Sequence, residues 1–403
     1  MRIIYDRKNN YIEIKGFTLL LLAAFFNDSL LIYGKAILGG LFGYNAFVNS
    51  FFPMLFVVLM VISLNQMKQH VHVQDILFVL FALLVIGASY LLYPENQEYY
   101  NEYNMNLLFT QAIPFFFLGL SACFDKKLLR TMTVLSWIAI IANVAYVFYF
   151  MQTRDMENDA MGWAYTALLP TMLSITGAFE SNQKRDTVLG MLFSALGIVY
   201  ILAMGTRGPI VIAFVYFAIM LWRKSQKKLI TKRLLSLIII IFVGIIVSGG
   251  HVVLLKSLRD ILIQNGLSAR TIDIFLQGEF ISHTSGRDML YATMQEQLKE
   301  RPLLGFGTFG EWQFINYSAH NIWLQLCMHY GYVIGSLLLL AHMSITIRAY
   351  KKSKNPIAKS MIILFACFAY CRGVFGGDYL YYEFIFLLGL SLHEIRGAKC
   401  SSA

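Results

Sequence analysis

Residues 74–93 read QDILFVLFALLVIGASYLLY, twenty positions with one acidic residue near the start and no charge after it. At about 1.5 Å per residue, a helix of that length crosses a hydrocarbon core of about 30 Å. A helix also satisfies every backbone polar group within its own segment, which the bilayer interior demands. Comparable runs recur along the 403-residue chain at about 16–34, 44–65, 106–123, 128–150, 163–179, 187–205, 209–222, 234–255, 319–347, 359–376 and 379–395. Composition points the same way: 58% of residues are hydrophobic and 14% charged, against about 25% charged in soluble domains. The expected fold is an all-α polytopic membrane protein of about twelve transmembrane helices, forming a single membrane domain over 1–403. The first run carries Asn27-Asp28 in its middle and lacks a small-residue cleavage pattern. It is therefore expected to stay as a span and not to be removed as a signal peptide.

Lysines and arginines set the orientation. With a cytoplasmic amino terminus, the inside loops hold runs such as Arg223-Lys224-Ser225-Gln226-Lys227-Lys228 and Lys351-Lys352-Ser353-Lys354. The outside loops 94–105 and 151–162 instead carry Glu95, Glu98, Glu102, Asp155, Glu157 and Asp159. An excess of basic residues on the cytoplasmic side is the usual topology signal. An even number of spans then places both termini inside. The formal charge of +10 is absorbed by these loops against an anionic leaflet, so no nucleic-acid partner is expected. Cys123, Cys327, Cys367 and Cys371 fall in or at the ends of spans and Cys400 in the tail. No disulfide framework is therefore expected in the long external loop.

That loop, 256–318, is the one long polar segment between apolar runs. Lys256 to Gln264 and Arg287 to Glu300 read as amphipathic helices. Pro302 then ends the second, and Gly305, Gly307 and Gly310 allow a sharp turn. A loop this long without internal structure is uncommon, so a helical external subdomain between helices 9 and 10 is expected.

Candidate chemistry gathers on the outer face. Arg207 in Gly205-Thr206-Arg207-Gly208-Pro209 sits in a short turn between two runs, either as a snorkelling anchor or as an open ligand contact. Arg287 follows Ser285-Gly286 at a helix start, where a guanidinium and unpaired backbone N–H groups suit phosphate; a surface ion pair is the alternative. Arg270 carries the same ambiguity. His320-Asn321 opens the tenth run, where the helix dipole disfavours imidazolium and leaves His320 neutral, the state a general base requires. Asp28, Arg372, Asp378 and Glu383 fall in the outer half of their spans and imply a polar pocket; Arg372 paired to Asp378 or Glu383 is the structural alternative. His329 and His342 read as packing or helix-contact residues. Trp163 and Tyr165 at the outer start of the sixth run suit sugar stacking or interface anchoring.

The order and shared side of Arg207 in Gly-Thr-Arg-Gly-Pro, Ser285-Gly286-Arg287, Pro302-Leu303-Leu304-Gly305-Phe306-Gly307 and Ala319-His320-Asn321 resemble the O-antigen ligase and polymerase superfamily. The motifs are confined to about 203–210 and 268–335. The resemblance implies a glycosyltransferase of the bacterial cytoplasmic (inner) membrane, inverting and independent of metal or other cofactor. Its partners would be an undecaprenyl-diphosphate-linked glycan donor, a sugar acceptor and membrane lipids, with a chain-length regulator as a further candidate. On this likeness Arg207 and Arg287 bind the diphosphate leaving group and His320 deprotonates the acceptor. Arg270, Asn321, Gly305, Gly307, Tyr165 and Arg372 are the expected substrate contacts. Apolar Ile322-Trp323 after His320-Asn321 favours the polymerase, because ligases of the family often place an acid there. The alternatives are an O-antigen ligase delivering glycan to lipid A-core and, from another class, a polysaccharide flippase. No internal repeat is visible and the charges crowd outward, unlike a transporter built from repeats.

Overall fold

The computed structural model describes residues 2–4, 13–43, 46–151, 160–204, 206–225, 250–264, 272–273, 276–277, 287–316 and 318–397. These residues are predominantly helical, with two three-residue strands, Arg2–Ile4 and Glu13–Lys15, paired antiparallel. Seven helices are long and apolar enough to cross a membrane: Ser50–Met67, Val73–Leu92, Lys126–Tyr146, Lys184–Ala203, Arg207–Ser225, Ile322–Lys352 and Pro356–Val374. The expected 16–34 run is a bent pair, Gly16–Phe25 and Asn27–Leu41, meeting at 73° and adding up to an eighth. The described residues thus carry seven or eight of the twelve expected spans. Most of 234–255 lies outside them. The 106–123 run is divided by a π-helical turn at Leu107–Ala112. Tyr382–Arg396 has 15 residues, short of the roughly 20 that a straight span needs.

The chain divides into two compact units. The first comprises Met1–Leu21, Leu55–Phe124 and Thr284–Ala403; the second comprises Leu22–Met54 and Asp125–His283. The boundary falls inside the expected 256–318 subdomain. Of its described helices, Gly250–Gln264 belongs to the second unit and Arg287–Leu298 to the first.

In the first unit, Ile113–Ser121 packs closely on Tyr382–Arg396. A Cβ on Gly119 would stand 2.4 Å from the Phe386 carbonyl oxygen, and one on Gly389 would stand 2.2 Å from that of Phe116. Small residues that let two backbones touch are how helices associate where apolar burial alone gives little drive. Arg396 ties the carboxyl-terminal end of Tyr382–Arg396 to the start of Val73–Leu92, its guanidinium donating to both Asp75 oxygens at 2.7 and 2.6 Å. The long helix Ile322–Lys352 is broken at Gly331 (φ 78°, ψ 167°). Into that break packs the Pro302–Gly307 segment: the Phe306 and Gly307 N–H groups donate to Met328 and His329 carbonyls at 2.6 and 3.1 Å, and Tyr332 N–H donates to Pro302 at 2.8 Å.

In the second unit, Ala160–Glu180 packs against Lys126–Met151, Lys184–Ala203 and Arg207–Ser225. Its Ser and Thr side chains face inward and bond within the bundle. Trp137 Nε1 donates to Ser174 Oγ at 3.1 Å, Ser174 Oγ to the Gly190 carbonyl at 2.9 Å, and Thr176 and Tyr216 share a bond of 2.6 Å.

Candidate functional site

The site grows from the start of Ile322–Lys352. Asn321 caps this helix, its side-chain oxygen accepting the Leu324 N–H at 3.0 Å, as an N-cap asparagine should. Ile322 is the first helical residue, so His320 lies just outside the span. His320 has φ of 52°, in the left-handed region that costs a non-glycine residue about 1–2 kcal/mol. The turn is held from outside by Tyr291, whose hydroxyl donates to the His320 carbonyl at 3.2 Å. Tyr291 belongs to Arg287–Leu298, whose Met294 and Leu298 are buried beside Leu324, Cys327 and Met328. That apolar stripe anchors the helix and thereby aims Arg287 at its first position.

Arg287 and His320 converge on Gly376. Arg287 Nη2 and His320 Nδ1 each stand 3.9 Å from the place a Gly376 Cβ would occupy. Gly376 itself has φ of 149° and closes the short helix Arg372–Phe375. Arg372 leaves a π-helical turn, Cys367–Cys371, a feature frequent at functional sites. Its Nη1 donates to Glu383 Oε1 at 2.8 Å, and its guanidinium lies 4.5 Å from the Tyr381 ring centroid. Of the two structural readings open for Arg372, the Glu383 pairing is the one formed. Burial pushes the His320 imidazole below the usual histidine range; the Arg287 charge and, less strongly, that of Arg372 push the same way, while a hydrogen bond to the Gly376 backbone opposes them. The result is a neutral, half-buried imidazole beside a guanidinium.

Gly376→Ala tests this turn. Space is ample for a methyl group, but the backbone conformation is one L-residues rarely adopt. Strain of roughly 1–3 kcal/mol is expected, read as a lowered Tm of the purified protein. An unchanged Tm would show that the turn relaxes freely.

The other sequence candidates separate. Gly305 (φ 66°) and Gly307 (φ 78°) are left-handed, as a sharp turn requires, and the protein's own backbone and side chains crowd them. A Cβ on Gly305 would stand 2.5 Å from the Met328 carbonyl oxygen, and one on Gly307 2.5 Å from the Tyr93 ring. Asn321 likewise spends its side-chain oxygen on a helix cap. Arg207 starts Arg207–Ser225 in the second unit, half-buried, with Pro209 in the first turn. Tyr165 is half-buried on Ala160–Glu180 in that unit, and Asp28 is exposed there. Arg270 lies outside the described residues.

A buried network beneath the turn is poorly signalled in the sequence. Gln325 Nε2 donates to Asp378 Oδ2 at 2.8 Å and to Glu311 Oε1 at 3.0 Å, while Gln325 Oε1 accepts the Tyr379 N–H at 3.3 Å. Asp378 Oδ1 accepts the Leu380 N–H at 2.8 Å. His329 Nε2 meets Glu311 Oε2 and accepts the Phe309 N–H, and His329 Nδ1 bonds the Tyr379 hydroxyl at 3.1 Å. Glu311 and Gln325 are 0% exposed, His329 1% and Asp378 3%, so these groups must satisfy one another. Burial raises the Asp378 carboxyl above its usual range, against the hydrogen bonds from Gln325 and Leu380. His329 is thus a networked side chain, not simple packing. His342 fits the packing reading better, its ring stacked on Phe384 with centroids 3.8 Å apart. The only sequence cue was polar residues inside otherwise apolar or glycine-rich stretches.

Among the described residues, no group of three His, Cys, Asp or Glu is arranged to hold a metal ion. The arrangement at Gly376 offers a fixed cation for an anionic group and a neutral nitrogen for a proton. No protein-family model matches the chain, and no curated protein matches it either.

Proposed function

We propose that the protein is a membrane glycosyltransferase of about twelve spans that polymerises undecaprenyl-diphosphate-linked oligosaccharide repeat units on the outer face of the bacterial cytoplasmic membrane. The observation that supports this most is the convergence of Arg287 and a neutral His320 on the Gly376 turn. In the proposed step the acceptor hydroxyl oxygen attacks the anomeric carbon, and His320 takes the hydroxyl proton. The bond from that carbon to the diphosphate oxygen breaks with inversion. The diphosphate leaves with the bonding pair, stabilised by Arg287. A guanidinium does this as a rigid, permanently charged fork. Arg372, held by Glu383, adds positive potential without having to contact substrate.

The test is reconstitution of the purified protein with lipid-linked repeat units, with chelator, and with or without lipid A-core acceptor. Polymer formed in chelator without the core acceptor is expected. Product only when lipid A-core is added would make it a ligase, and translocation without a new glycosidic bond would make it a flippase. Arg287→Ala is expected to lower the rate about 10²–10³-fold, the usual cost of losing one preorganised donor to developing negative charge. Arg287→Lys should recover only part, because the fork is lost. Full activity in Arg287→Ala would remove the diphosphate role.

A further inference from the structure

The two walls of the Gly376 site come from distant parts of the first unit: the start of Ile322–Lys352 carries His320, and the 372–381 segment carries Gly376. Gln325 lies one helical turn after His320, and its own N–H donates to the Asn321 carbonyl at 2.9 Å. Its side chain reaches the 372–381 segment with both ends, giving an amide hydrogen to Asp378 and accepting the Tyr379 N–H. Its second amide hydrogen goes to Glu311, which bonds His329 four residues along the same helix. Asp378 in turn spends its other oxygen on Leu380 N–H, so the carboxylate closes the turn and ties it to the helix at once. Beside this link, Gly373 presses on Ile322: a Cβ there would stand 2.7 Å from Ile322 Cδ1. A buried side-chain amide with three bonds to two segments has one geometry available to it.

We infer that Gln325 and Asp378 are positioning residues: their buried hydrogen bond sets the spacing of the Gly376 turn from the His320 helix, and with it the surroundings of the His320 imidazole. The inference rests on the glycosyl-transfer reading for its effect on rate, and on geometry alone for its effect on His320. Neither residue touches substrate. Asp378→Asn leaves one acceptor oxygen for two donors, the Gln325 amide and the Leu380 N–H, so one of the two bonds that fix the turn is lost with almost no change of volume. Gln325→Met removes all three side-chain bonds at similar length. With a turn displaced by about 1 Å, a well-oriented reaction slows about 10²-fold.

Two readouts test this, with Arg396→Met as the control, because that variant breaks the buried pair to Asp75 away from the turn. The first is the rate at which diethyl pyrocarbonate modifies His320, mapped by mass spectrometry. Several-fold faster modification is expected in Asp378→Asn and Gln325→Met, and the wild-type rate in Arg396→Met. The second is transfer in the reconstituted system. There kcat should fall about 10- to 100-fold with little change in donor KM. Wild-type His320 reactivity in both turn variants overturns the inference, whatever the transfer assay shows. So does equal acceleration in Arg396→Met, which would mark general loosening. If the wild type makes no polymer, the transfer reading fails and the modification rates still decide the positioning role.

Discussion

His320→Ala should abolish polymer formation almost completely, lowering the initial rate about 10²–10⁴-fold, the range for loss of a general base. The expectation follows from the turn. Arg287 and Arg372 are cations and cannot accept a proton, and Glu383 is engaged by Arg372. Among the groups gathered at Gly376, the neutral imidazole is the one able to take the acceptor proton. The sign of its pH dependence follows. Burial and the two arginine charges lower the His320 pKa, so the neutral form persists to more acidic pH than for an ordinary histidine. The wild-type rate should fall with acid only below the usual histidine range, and the residual activity of His320→Ala should lose that limb. Donor binding should be retained, because the charge that holds diphosphate remains. A variant that polymerises at the wild-type rate, with normal amounts of protein in the membrane, would end the general-base assignment.

Glu311→Ala should strongly destabilise the first unit. Glu311 is wholly buried and bonded to both His329 and Gln325. Its removal takes the acceptor from a buried Gln325 amide hydrogen, removes the partner of His329 Nε2 and leaves a void in the core. Each unsatisfied buried group alone costs about 1–3 kcal/mol. The expected result is a large drop in Tm of the detergent-solubilised protein, or loss of folded protein altogether. Glu311→Gln keeps the shape and one acceptor and should cost less than half as much. A wild-type Tm in Glu311→Ala would mean that the network adds nothing to stability. His320→Ala should leave Tm nearly unchanged, so the two substitutions separate chemistry from scaffold.

The residues differ in how far the sequence discloses them. The apolar runs at 74–93, 187–205 and 359–376 needed only length and hydropathy, and their helices lie within a few residues of the expected bounds. The loop helix at Arg287 was legible from its apolar spacing and the proline beyond it. His320 and Arg287 were legible as candidates because each is a polar residue placed at a helix start. Gln325, Asp378, Glu311 and His329 were not legible as a group. Pairing of residues 53 positions apart, as for Gln325 and Asp378, leaves no periodic trace. For Gly305 and Gly307 the sequence shows only that a turn is possible: a glycine that lets a ligand approach and one that lets the protein's own atoms approach look the same in a sequence.

What the sequence determines by itself is therefore the solvent and the secondary structure: the bilayer requires long apolar helices, and basic loops bias which side they face. These are properties of consecutive residues and survive without knowledge of any partner. Only the tertiary structure decides that Arg372 is spent on Glu383, that Asn321 is a cap, and that Arg287 and His320 meet at Gly376. Those outcomes depend on which buried polar group finds which, because a group shielded from water must take a partner from elsewhere in the fold.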